Sequence, residues 1–557
     1  MVPMNPFLYV AASSLLTHYV FNRREPTTPQ PVLATIFAVP TLWSIILLPQ
    51  FGSPLSAVLF SFLIYLFVLA FSIASYRLSP FHPLASFPGT PISKLTKWWG
   101  VWETYEGRHY LRVHELHKKY GPIVRVGPNE LSIADVTAIP AVLGSGGLPK
   151  GHWYGSRQDL RASKNLQVLN GDAHANRRRL WNRGLSSDSI ESYSDIIEIR
   201  AAQLIDCLER QPGKICLSSF FSRFAFDFLG DMAFGGGFDL LRDGDTKNFN
   251  GIVDNGVLVS NIISQVPWIT SMIHWVPSWR IGALALRDLG YNTARKRLNH
   301  GSITKDLYYH LTDDGGLERQ KPSVTDILSD GTLAIVAGTD TIKTTLAAIF
   351  YHLLLNPTSY QRLQDEVDRV FPNSEDPMDF RKLSEMEYLD ACINETLRVM
   401  PSVPTNGSRR ISRGYGPRTI AGSVIPEETE IFVSPYPLHR DPRYFSPEPE
   451  SFLPERWLKS PSSVSPEFRQ LGPYIHNTSA FIPFSYGPHN CVGRQLAYRQ
   501  LRYVVCLMMR RFETQFAHGF CPRDWIEKAC DRLVLSTDPL PVVLTPRTNS
   551  TRVNCGV

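Results

Sequence analysis

The run Phe484-Ser485-Tyr486-Gly487-Pro488-His489-Asn490-Cys491-Val492-Gly493 constrains this chain most, because it sets one cysteine in a glycine-bracketed loop just before a helix-forming stretch. Gly487 can supply the positive φ of a tight turn, and Gly493 lets the backbone approach a flat ligand with no Cβ in the way. Beyond it Leu496, Leu501, Val505, Met508 and Phe512 recur at helical spacing, which predicts a helix starting near Cys491. The free amides and dipole of a helix start favour an anionic sulfur, so this is the setting of a metal-binding thiolate. The plainer alternative is an inert cysteine packed as a small hydrophobe.

The loop resembles the cysteine-ligand loop of the cytochrome P450 family, haem-thiolate monooxygenases in which the cysteine is the proximal ligand of haem iron. The resemblance implies a fold that is mainly α with a small β part, preceded here by a membrane anchor. It implies that Cys491 ligates the iron of haem b, that Phe484 shields the sulfur and that Gly493 lies against the porphyrin. His489 stands where the family most often has arginine, and a bond from it to a haem propionate would vary with pH.

Other motifs follow the family's order from about residue 80 to 545. A long helix is expected from Ser323, with Asp326 as a helix-start signature, to Asn356-Pro357. In its middle stands Ala337-Gly338-Thr339-Asp340-Thr341, and a glycine there costs about 1 kcal/mol relative to alanine. A solvent-facing polar stripe would explain these residues blandly. The resemblance implies instead that Gly338 leaves room for dioxygen while Thr341 and Asp340 manage protons. Ile342 replaces a frequent second hydroxyl residue.

Glu395 and Arg398 lie three apart on one helix face, a common pairing. With Arg456 of Phe452-Leu453-Pro454-Glu455-Arg456-Trp457 they match the family's structural triad, for which arginine's planar fork is suited. The basic run His174-Ala175-Asn176-Arg177-Arg178-Arg179-Leu180-Trp181 has a solvated face as its default reading. By resemblance His174, Arg178 and Arg409 hold propionates. Arg177 and Arg179, on other faces, would be free for an acidic partner. A basic surface of Arg177, Arg494 and Arg499 would meet the reductase.

The chain has 557 residues, 43% hydrophobic and 19% charged, with a net charge of +6, too modest and too dispersed for a nucleic-acid binder. Its eight cysteines show no CxxC or zinc-finger spacing, which fits a reducing compartment. Three apolar runs open it, Pro6 to Val20, Pro31 to Leu48 interrupted by Pro40, and Leu55 to Ala74; only the last is clearly long enough to span a bilayer. Arg23, Arg24 and Arg77 put residues 22–24 and everything after 77 in the cytosol, and both two and three spans satisfy that rule. A cleaved signal peptide is disfavoured because the first run lacks a basic start. Residues 1–78 are thus expected as the anchor and 79–557 as a cytosolic catalytic domain, joined by a proline-rich hinge at Ser79 to Pro91.

After the hinge come an amphipathic helix ending near Lys119 and two strands, Ile123 to Val126 and Glu130 to Ala134, joined across Gly127-Pro128-Asn129. Ser218 to Leu241, running into Phe234-Gly235-Gly236-Gly237-Phe238, suits either a mobile surface corner or a lid over a hydrophobic channel. Pro401 to Asn406 should lead a strand past the haem edge. Lys459 to Ser479 reads as a Ser/Pro-rich surface loop, and the glycosylation patterns at Asn394 and Asn477 as unused. Leu533 to Leu544, turning at Asp538-Pro539, reads as a terminal hairpin, and the resemblance implies that its tip near Ser536 and Thr537 touches substrate.

There is no flavin or nicotinamide fingerprint, so electrons must come from another protein. The expectation is an endoplasmic-reticulum monooxygenase, fed from NADPH by a cytochrome P450 reductase with cytochrome b5 as a further donor. Its substrate would be a hydrophobic small molecule, a fungal terpenoid or polyketide. The rivals are a haem-thiolate isomerase or dehydratase that uses no dioxygen, and a non-enzymatic membrane binding protein.

Overall fold

A computed structural model describes residues 5–547 except residues 25, 27, 156–162, 269, 271–276, 373–378, 459–469 and 471–473. Three helices open the chain: α1 (Pro6–Arg23), α2 (Pro29–Leu47) and α3 (Pro54–Leu78). Each begins with proline in its first turn, where the missing N–H is no loss. Pro40 does not interrupt the second run as its sequence suggested; it sits inside α2. With the turn Leu48–Gln50, α2 is therefore also long and apolar enough to cross a membrane, as α3 is.

The helices that build the site are α4 (Gly171–Gly184), α5 (Leu217–Phe234), α6 (Phe249–Gln265), α7 (Val324–Leu355), α8 (Glu387–Val399) and α9 (Arg494–Arg511). α7 is capped as its sequence predicts, Ser323 Oγ accepting from the Asp326 amide, and it ends at Asn356-Pro357. One core joins these helices, with Phe221 of α5 against Phe350 of α7, ring centroids 5.7 Å apart.

That packing corrects the expectation for residues 218–241. Phe220, Phe221, Phe224, Phe226 and Phe228 are all buried, and Gly235 closes α5 in a left-handed cap at φ 69°. Up to Phe234 the segment is a core helix and not a lid; the glycine run beyond it is a turn with Gly235 and Gly237 exposed. Phe512 likewise leaves the helix predicted for it and starts a strand, Phe512–Phe516.

The predicted hairpin forms from Ile123–Gly127 and Glu130–Ile133, in a four-stranded sheet completed by Glu430–Phe432 and Arg409–Arg410. Strand 430–432 runs parallel to 130–133 and antiparallel to 409–410. A smaller core that includes Leu131, Ile133, Ile431 and Val433 backs this sheet. Pro401 to Asn406 is irregular, only Arg409–Arg410 pairing beyond it.

The terminal hairpin is not the predicted one. Cys530–Arg532 pairs with Val534–Ser536 around Leu533, whereas Pro541–Pro546 pairs with Phe512–Phe516. Most of the insertion from Lys459, and Cys555, lie outside the described residues; the insertion's end, Ile475–His476, pairs with Phe445–Ser446.

Candidate active site

Gly487 makes the turn ahead of Cys491 at φ 71°, and a Cβ there would lie 2.2 Å from the Leu143 carbonyl oxygen. The Cys491 amide donates to the Phe484 carbonyl at 2.9 Å, closing the loop before α9. Cys491 counts as exposed because its side chain faces a cavity of about 410 Å³. Protein still surrounds it, and burial pushes its thiol up, against the Gly493 amide and the Arg178 and Arg494 guanidiniums. A Cβ on Gly493 would meet nothing nearer than Cys491 Sγ at 4.0 Å, so this stretch of backbone is open.

The cavity lies among α5, α6, α7, the 401–407 segment and the cysteine loop, with Phe484, Cys491, Gly493, Gly338 and Thr341 in its lining. Phe228, Leu229, Met232, Val257 and Leu286 make much of the wall apolar. The hairpin contributes Leu533 and Val534, so its inserted tip is Leu533 and not Ser536 or Thr537. A Cβ at Gly338 would come within 2.6 Å of Leu229 Cδ1, so that glycine also serves the close approach of α5 to α7.

Thr341 Oγ1 donates to the Ala337 carbonyl at 2.8 Å while its side chain borders the cavity. Asp340 does not join it. Its carboxylate turns to a separate, half-buried cluster of Asp254, Lys343 and Arg532, accepting from Lys343 Nζ at 2.9 Å. Burial alone would lower the Lys343 ammonium, but Asp340 and Asp254 outweigh it and hold it above its ordinary value. Adjacent helical residues point about 100° apart, so two neighbours in sequence need not serve one face.

A basic cluster gathers beside the cysteine loop. The His174 and His489 rings lie against each other, tilted by 48° with centroids 4.0 Å apart. Burial, then Lys150, Arg409 and their mutual neighbours, push His489 down to about 2; burial, Lys150, Arg178 and Arg409 push His174 down to about 4. Arg409 is 2% exposed, and its Nε and Nη1 have no hydrogen-bond partner among the described residues. His489 Nδ1 is equally unpartnered. Arg178 instead clamps the loop, donating to the Asn490 carbonyl at 2.6 Å and to Asn490 Oδ1 at 2.8 Å.

Lys150 is the member that sequence reasoning missed, since Pro149-Lys150-Gly151 carries no motif. It comes to the cluster by a β-bridge with Arg409, and burial followed by Arg409 and Arg178 lowers it to about 7. Its Nζ donates to the carbonyls of Leu166 and Leu169 at 3.3 and 3.0 Å.

Glu395 is fully buried between Arg398, at 2.7 and 2.8 Å, and Arg456, at 3.2 Å. Trp457 Nε1 donates to it at 2.9 Å, and Arg398 goes on to the His439 and Ser451 carbonyls. The triad ties α8 to the 447–457 segment. Asn394 accepts from Tyr498 OH within this packing.

The free basic face expected of α4 is absent. Arg177 is buried, paired with Asp330 at 2.9 Å and Asp326 at 2.8 Å, and Arg179 is paired with Glu318. Helical spacing shows which residues share a face but not that α7 supplies two acids opposite one of them. Arg499 is bound to Glu191 at 2.7 Å and lies over Phe380, while Arg494 is exposed near the Phe484 ring.

A family model described as Cytochrome P450 matches residues 88–544. Cytochrome P450 67 of Uromyces fabae is 31% identical over 563 residues, covering 98% of this chain and 100% of that one. Cytochrome P450 monooxygenase FCK2 of Fusarium pseudograminearum is 32% identical, covering 86% and 85%. Tryprostatin B 6-hydroxylase of Aspergillus fumigatus is 28% identical, covering 87% and 84%.

Proposed function

The chain belongs to the cytochrome P450 family, and on that premise we propose a membrane-anchored monooxygenase of fungal secondary metabolism acting on a hydrophobic terpenoid or polyketide. One observation carries the reading: the Cys491 side chain and Thr341 line one cavity that is otherwise largely apolar. A relative named for hydroxylating tryprostatin B supports a specialised small molecule, and the apolar lining supports a hydrophobic one.

Three features fit a haem here. A thiol faces the cavity, the backbone at Gly493 leaves a flat approach, and among the described residues Arg409 Nε and Nη1 and His489 Nδ1 lie buried beside it without a partner. A buried cation without a partner costs several kcal/mol, so an anionic group such as a propionate pair is the natural complement. In this assignment Cys491 would be the iron ligand with Phe484 over it, and His174, Arg409 and His489, joined by Lys150, would hold the propionates, while Arg178, expected among them, spends its guanidinium on Asn490 and Asn182 and would hold the cysteine loop. A bound haem iron would hold Cys491 as the thiolate, against the effect of burial on its thiol.

When bound, the haem supplies dioxygen activation, with two electrons from a separate redox partner and the thiolate pushing electron density toward O–O cleavage. The chain's own part is binding, dryness and protons. Phe228, Leu229, Met232, Val257 and Leu533 exclude water from an apolar substrate. Thr341 presents a hydroxyl that can pass protons into the cavity. Asp340 takes part only after leaving Lys343.

We assign Glu395, Arg398 and Arg456 to folding around haem, residues 1–78 to the anchor and 79–557 to the catalytic unit. The anchor lies in the endoplasmic reticulum membrane with the catalytic unit in the cytosol. NADPH-cytochrome P450 reductase, with cytochrome b5 as a second donor, would dock near the exposed Arg494. Reductase-supported, NADPH-dependent oxygen consumption that rises with substrate tests the reading; substrate turnover without oxygen uptake would favour the isomerase or dehydratase.

A further inference from the structure

We propose that α1 is a third membrane span, so that the chain crosses the bilayer three times and its two ends lie on opposite sides. The proposal builds on the reading that residues 1–78 are a membrane anchor. By composition α1 is the weakest of the three helices: among the described N-terminal helices only α2 with its terminal turn and α3 are apolar enough to span alone. Four polar residues, Ser13, Ser14, Thr17 and His18, stand in its middle.

All four are turned onto the other two helices. Ser14 Oγ donates to the Tyr65 carbonyl at 2.8 Å, and Thr17 Oγ1 lies 2.8 Å from Tyr65 OH. His18 Nδ1 lies 2.6 Å from Ser72 Oγ, and Trp43 Nε1 donates to Ser13 Oγ at 3.0 Å. The stripe Val10, Ser14 and Thr17 is buried, as is Ala57, Ser61 and Tyr65 on α3. Meanwhile Phe7, Leu8, Leu15, Leu16, Tyr19 and Val20 face outward, Leu16 at 62% exposure.

A helix with polar and small residues inside and large apolar ones outside is the reverse of a water-facing amphipathic helix. It is the pattern of a helix packed in lipid, where hydroxyls bond across helices and small residues admit close backbones. The lengths agree. Eighteen residues of α1 span about 27 Å and 25 of α3 about 37 Å at 1.5 Å per residue, around a bilayer core of about 30 Å.

The contacts also give direction. Residues 14 and 18 of α1 meet residues 65 and 72 of α3, so the two helices run parallel. Arg23, Arg24 and Arg77 all fall at the end where the catalytic unit sits. There Arg413 donates to the Arg23 carbonyl at 3.4 Å and Arg125 to the Arg77 carbonyl at 3.2 Å. The start of α1 is therefore at the far end of the bundle, across the membrane from residues 79–557.

The test uses the full chain in sealed microsomes, with an extension before Met1 carrying an Asn-Gly-Thr acceptor and an epitope, and a second epitope after Val557. Three crossings put the epitopes on opposite sides: protease removes the C-terminal one only, and the extension shows a mobility shift that endoglycosidase reverses. An unshifted but protected N-terminal epitope supports the same conclusion. If both epitopes are digested, or both are protected, the chain crosses twice and the proposal is wrong. Opposite sides with the C-terminal epitope protected would keep three crossings and overturn only the cytosolic placement of the catalytic unit.

Discussion

Arg409 is the most exacting residue of the site, because burial removes its water and, among the described residues, no acceptor meets its Nε or Nη1. Under the propionate assignment Arg409→Ala should weaken haem binding by about 2 kcal/mol, roughly thirtyfold, read as faster haem transfer to an acceptor protein. Arg409→Lys should fall between, keeping the charge but losing the planar fork. His174 makes a pH prediction. Its folded pKa, about 4, lies below the ordinary 6.5, so the folded chain holds fewer protons across that interval. Prepared without haem, the protein should lose stability as pH falls through about 6.5 towards 4, and His174→Gln should flatten that slope in urea titrations. A steeper loss in His174→Gln would contradict the assignment. At this scale the sequence was legible where a residue sits at fixed spacing from a motif, as His489 does from Cys491. It was silent where only folding assembles the neighbours, as with Lys150 beside Arg409, or Asp254 beside Lys343.

Among the elements, α7 and the α8 triad carry the clearest consequences. Removing one member of a fully buried ion group leaves the others uncompensated, so Glu395→Gln should destabilise the protein by about 3–5 kcal/mol and prevent haem loading, seen as a fallen denaturation midpoint. Arg177→Glu is informative because sequence reasoning put Arg177 on a docking face. It would set a third carboxylate against Asp326 and Asp330, and thermal stability and haem content should fall together. Stable, fully loaded protein with only weaker reductase coupling would restore the docking role. The helix boundaries of α7 were legible because Ser323 and Asn356-Pro357 are local signals. The helical part of the α5 segment was misjudged because a glycine run marks the helix end without saying what covers the six buried phenylalanines before it.

For the whole molecule, the division between anchor and catalytic unit predicts that a chain lacking residues 1–78 still folds and binds haem. Trp98, Trp102 and Tyr105 remain exposed on one short helix, so that shortened chain should stay partly with membranes and be released by detergent more than by salt. Full release into buffer would deny those rings a membrane role, and loss of haem would deny the division itself. The catalytic fold was legible because the cysteine loop, the α7 motif and the triad occur in one order. The arrangement of α1 was not, because averaging hydropathy along a helix hides a polar stripe that the bundle turns inward.

Everything at the site depends on Cys491 being the sulfur that binds haem iron, and the direct measurement is the carbon monoxide difference spectrum of the reduced protein before and after Cys491→Ser. The account predicts the red-shifted absorption of sulfur ligation in the native chain and its complete loss in the variant. The same red-shifted band in Cys491→Ser would mean that another residue holds the iron.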